Sequence, residues 1–160
     1  MEFNTDSIPE LIKNEIKQSQ SIMKIFKRFK IHPDRLDTLK IVICDLEKKY
    51  AETDMVQMRL DNSLFKNGWQ SFIENGFFVV AHEIIHWLTR TKENMSYFSD
   101  PEEIDGFIMS IAYEIEQGSD MDTIWNRIFP KIEFHFNGKK QARQFFEGLI
   151  EDAVKIVKNP

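Results

Sequence analysis

The chain has 160 residues, 42% of them hydrophobic and 29% charged, with a formal net charge of −5. This balance is that of one globular domain, 1–160, with room for a sizeable core, and it excludes a disordered chain. The acidic total argues against nucleic acid as a partner, and the longest apolar run, 77–81, falls far short of the ~20 residues that a membrane helix needs.

A single cysteine, Cys44, leaves no internal disulfide to form. Residues 1–6 carry neither the basic start nor the apolar stretch of a secretory signal, so a reducing compartment is expected. Ser7-Ile8-Pro9-Glu10 then has the form of a capping box with proline in the first turn. Apolar residues recur at Ile8, Leu11, Ile12, Ile16, Ile22, Met23, Phe26 and Phe29, which predicts one helix over about 8–30. Lys24, Lys27, Arg28 and Lys30 near its end suit the helix dipole and read as a solvated helix terminus.

His32-Pro33-Asp34 stops that helix, because the residue before proline avoids helical angles. Residues 39–46, with Ile41, Val42 and Ile43, read as a buried strand. In 55–60, Val56, Met58 and Leu60 alternate with Gln57 and Arg59, as in a half-exposed strand. A helix is expected over about 70–91. Another is opened by Ser99-Asp100-Pro101-Glu102-Glu103 and stopped by Gln117-Gly118. A short helix over 121–128, a strand at 131–136 and a long helix over 139–158 complete the chain. The expected class is α+β, mostly helical, with a small β-sheet packed against the helix over 70–91. Its parts are an N-terminal helix (8–30), a core (36–117) and a C-terminal helical part (119–158).

The helix over 70–91 carries His82-Glu83-Ile84-Ile85-His86. Positions four apart lie one turn above each other, so the two imidazoles share a face and can grip one zinc ion. Glu83 is then placed to act as general base on the water that the metal activates. From Phe77 to Ala81 and from Ile84 to Leu88 only His86 can carry charge, so the flanks bury this helix. Trp87 is expected in the core.

A catalytic zinc takes three protein ligands and keeps a fourth position open. The remaining histidines, His32 and His135, lie far along the chain and are weak candidates. A metzincin would need glycine and histidine where this chain has Thr89 and Lys92, so that class is excluded. A carboxylate is left as third ligand. On the helix after the histidines, the stripe Ile104, Phe107, Ile108, Ile111, Ile115 centres near Ile104. Glu102 then points toward solvent, while Glu103 and Asp105 flank the stripe on either side. Glu103, with the longer arm, is the first choice and Asp105 the reserve ligand; Asp105 and Asp100 are the candidates for orienting a ligating histidine. Tyr97 and Tyr113 are candidate donors to the oxyanion.

His82-Glu83-Ile84-Ile85-His86 followed by Glu103 resembles the zincin metallopeptidases, in particular the gluzincin branch. The stretch from Asp100 to Phe107 is also similar to a segment of compact His-Glu-x-x-His proteins encoded by bacteriophages. The likeness covers about 36–117, and unlike larger gluzincins the chain shows no obvious substrate-binding subdomain. The resemblance implies His82, His86 and Glu103 as ligands of one zinc ion per chain, Glu83 as catalytic base, and a peptide or protein substrate. It also implies phage structural proteins as neighbours and a place in the host-cell cytoplasm or the virion. The rival expectations are a virion assembly protein that keeps the fold with little activity, and a binding module with a structural, four-ligand zinc.

Overall fold

A computed structural model describes residues 5–54, 56–89 and 101–159. The chain begins with α1 (Ile8–Gln18) and α2 (Gln20–Arg28), two helices where the apolar stripe predicted one. The break falls at Ser19, whose backbone is extended and whose Oγ accepts from the Ile22 N–H, capping α2. The carboxylate of Glu116 holds that corner, accepting from Ser19 Oγ at 2.6 Å and from Gln20 N–H at 2.5 Å. The apolar stripe survives the break, since Ile8, Ile12, Ile16, Ile22 and Phe26 are all buried.

Three strands follow: β1 (Lys40–Cys44), β2 (Ala51–Thr53) and β3 (Gln57–Asp61), in sheet order β1-β3-β2. β1 runs parallel to β3, with Ile41 opposite Met58 and Ile43 opposite Leu60. β2, which the sequence pattern did not reveal, returns antiparallel to β3 as an edge strand. Asp54 shapes the turn between them, accepting from the N–H groups of Val56 and Gln57.

The helix expected over 70–91 is again two, α3 (Gly68–Asn75) and α4 (Phe77–Thr89). Gly76 separates them, and a Cβ there would come within 2.9 Å of the Phe72 ring. α5 (Pro101–Glu116) is the central helix, buried on nearly every side from Gly106 to Glu114 and packed against α2 and α4. α6 (Met121–Glu133) and α7 (Lys139–Lys158) form a hairpin that also packs on α5.

The strand expected at 131–136 does not form. Ile124, Ile128 and Ile132 are buried at four-residue spacing, so Ile132 belongs to the stripe of α6, and Phe134 is 85% exposed. The alternation of Ile132, Phe134 and Phe136 imitated a strand by accident. α7 runs over the expected residues, with Ala142, Phe146, Leu149 and Ala153 buried. The class is α+β, mostly helical, with a small mixed sheet against α4. Among the described residues no helix is long and apolar enough to cross a membrane.

Candidate metal centre

α4 and α5 pack antiparallel, and their contacts step along both helices in register. Phe77 meets the Tyr113 ring at 4.8 Å, and Phe78 accepts at its carbonyl from Ser110 Oγ at 2.7 Å. His82 meets Gly106 and the Phe107 ring, and His86 meets Glu102 and Glu103. The positions used on α5 are three and four apart, one face of a helix. Gly106 sets the spacing. A Cβ there would stand 2.8 Å from His82 Cε1, so glycine lets the imidazole keep this place without shifting.

At the open end of this seam three donor groups converge. His86 Nε2 is 3.2 Å from His82 Nε2 and 2.7 Å from Glu103 Oε1, and His82 Nε2 is 3.2 Å from Glu103 Oε2. Zinc bonds of about 2.0–2.1 Å in a tetrahedron set neighbouring ligand atoms roughly 3.3 Å apart, so two imidazoles and a carboxylate at these separations fit one such ion. Among the described residues no fourth His, Cys, Asp or Glu joins the group. Burial by itself lowers the pKa of His86. The hydrogen bond and charge of Glu103, with Glu83 and Glu102 adding to them, outweigh it and hold His86 up at about 9. Burial raises Glu103, but hydrogen bonds from both histidines win and keep it well below the usual carboxylate range. Without a metal, His86 and Glu103 are therefore an ion pair.

Two carboxylates complete the surroundings. Glu83 lies in the same cleft, and its Oε2 accepts from Thr53 Oγ1 on β2 at 2.6 Å, so the sheet edge orients it. Glu102, expected in solvent, is buried, with Oε2 3.5 Å from His86 Nδ1. The expectation failed because α5 is apolar on several sides. Its hydrophobic residues serve α2 and α7 as well as α4, so their mean direction does not point at α4. A carboxylate behind the far nitrogen of a ligating histidine fixes the ring's tautomer and direction.

The reserve residue, Asp105, is not in the group. It is exposed and borders a hollow between α2, α5 and α7 that also contains Arg28 and Asp152, on another side of α5. Tyr113 is not an oxyanion donor. Its ring is buried against Phe77, its hydroxyl donates to Glu15 at 3.1 Å, and ten residues of helix separate it from Glu103, about 15 Å of rise. Burial and the nearby charge of Glu15 push its pKa well above 10. Tyr97 and Asp100 lie outside the described residues. His32 caps a turn, accepting at Nδ1 from Asp34 N–H. Trp87 packs on the core beside Phe26, as expected.

The cleft has a volume of about 780 Å³, and its walls include Tyr50, Thr53, Phe78, Lys131, Phe134 and His135. No sequence pattern signals Thr53 or Lys131, which reach the cleft only through tertiary packing. Compared with known proteins, the chain matches no family model, no curated protein and no solved structure.

Proposed function

We propose that the chain is a zinc-dependent metallopeptidase of the zincin type, with His82, His86 and Glu103 as ligands and Glu83 as general base. The observation that carries this reading is the convergence of the three donors in a cleft that also holds a sheet-oriented Glu83. A zinc ion held there supplies Lewis acidity toward the substrate carbonyl and brings the pKa of water toward neutral. Glu83, steadied by Thr53, takes the proton of the attacking water and returns it to the leaving amine. Glu102 keeps His86 turned toward the group. The edge strand β2 borders the cleft and offers its outer side to an extended peptide, whose main chain would add to the sheet. A three-donor set favours an open catalytic position over a closed structural site. The likeness to phage-encoded proteins supports work in the host-cell cytoplasm or the virion.

Metal analysis and a peptide-cleavage assay test this together. The wild type is expected to hold one zinc per chain and His82→Ala to lose it. Glu83→Gln should keep the metal while cleavage falls by about 10²–10⁴-fold, the usual worth of a general base. A wild type that keeps zinc but cleaves no unfolded protein would instead support an assembly role among virion proteins.

A further inference from the structure

Of the lysines that border the cleft among the described residues, Lys48 and Lys49 are exposed and Lys131 is half-buried. Lys131 lies in the last turns of α6, and among the described residues it forms no ion pair. Lys49, on the same rim, pairs with Glu52, and Arg127, one turn earlier on α6, pairs with Glu114. Lys131 stands over two aromatic rings, with Nζ 4.9 Å from the centre of the Phe78 ring and 5.7 Å from that of Tyr50. Such faces hold a cation less strongly than the charge-assisted hydrogen bonds an anion would add. Burial lowers its pKa and the charge of Glu83 opposes that, so the ammonium has given up water while no carboxylate among the described residues stands within ion-pair distance.

The rim beside it is apolar. Tyr50 is 56% exposed and Phe134 85% exposed, two large rings left in water at the mouth of one cleft. The position along α4 narrows what Lys131 would hold. Phe78, under its Nζ, precedes His82 by four residues, about 6 Å of rise along α4. An extended peptide advances about 3.3 Å per residue, so an anion on Lys131 belongs one or two residues from a carbonyl at the metal group.

We propose that Lys131, Tyr50 and Phe134 form a carboxylate subsite, which selects peptides carrying a carboxylate one or two residues from the scissile bond beside a large apolar side chain. The scissile bond in this statement rests on the peptidase reading; the binding does not. The carboxylate can be a C-terminus or an acidic side chain, and the probes separate the two.

Calorimetry on the zinc-loaded full chain, with three probes, tests the subsite without turnover. N-acetylphenylalanine offers a terminal carboxylate, N-acetyl-Asp-Phe-amide a side-chain carboxylate, and N-acetyl-Asn-Phe-amide none. At least one carboxylate probe should bind tenfold or more tighter than the neutral one. That preference should vanish in Lys131→Met and Lys131→Gln and persist in Lys131→Arg, with zinc content and Tm unchanged in all three. A preference that survives both neutral variants would place the carboxylate on the metal and overturn the proposal. So would equal loss of kcat on neutral and acidic peptides with binding unaltered, which would make Lys131 a transition-state group. Lys131-dependent binding without any cleavage would keep the subsite and sink the peptidase; cleavage indifferent to carboxylates and to Lys131 would do the reverse.

Discussion

Glu102 keeps a carboxylate at 7% exposure, which costs free energy unless a strong partner meets it. His86 Nδ1, at 3.5 Å, is such a partner, and the two together leave His86 Nε2 facing His82 and Glu103. Glu102→Ala is therefore expected to weaken zinc binding by about 10–100-fold, as is usual for the partner behind a ligating histidine, with the ligands all retained. Competition titration with a chelator reads that change; an unaltered affinity would remove Glu102 from the account. At this scale the sequence was informative where chemistry and spacing coincide. The clustering of His82, His86 and Glu103, with Glu83 in the same cleft, was legible. Glu102 was misassigned and Lys131 overlooked, because each depends on which face of its helix meets which neighbour.

The α4–α5 seam is the element on which the centre depends, and Gly106 is its narrowest point. Gly106→Ala pits two effects against each other. Alanine favours a helix over glycine by about 1 kcal/mol, whereas its Cβ would come 2.8 Å from the His82 ring. The imidazole, at the end of a side chain, is the part that can move, but it is wedged against Phe107 at 4.7 Å. The metal-free Tm should thus change by only a few degrees, while zinc affinity falls at least tenfold (roughly the 1.4 kcal/mol a displaced ligand easily costs). Thermal melts with and without zinc separate the two effects, and an undiminished zinc-induced rise in Tm would show that the seam tolerates a methyl group. Long stripes such as those of α1, α2 and α7 were readable because each buries one face. The interruption at Ser19 was not, since it is fixed by Glu116, far along the chain and outside the local pattern.

For the molecule as a whole, the His86–Glu103 pair ties stability and metal binding to pH in opposite senses. His86 is raised from 6.5 to about 9, so its contribution to the metal-free fold is complete below pH 6.5 and is lost as pH rises through about 9. Glu103 is depressed, so its contribution is complete above 4.5 and is lost only as pH falls well below that. Zinc must displace the His86 proton, so its affinity should rise about tenfold per pH unit between 6.5 and 9. The zinc-induced increase in Tm should widen over the same range. A zinc affinity flat across that range would contradict the ion pair. The architecture as a class was legible from periodicity alone, yet β2 was not, because three residues are too few to show alternation. That strand nonetheless supplies Thr53, and with it the orientation of Glu83.

The most direct test is an anomalous difference map at the zinc edge from crystals grown with the metal. One peak per chain is expected, bound by His82 Nε2, His86 Nε2 and a Glu103 oxygen, with no fourth protein ligand. A peak elsewhere, a closed four-ligand site, or no peak at all would contradict it.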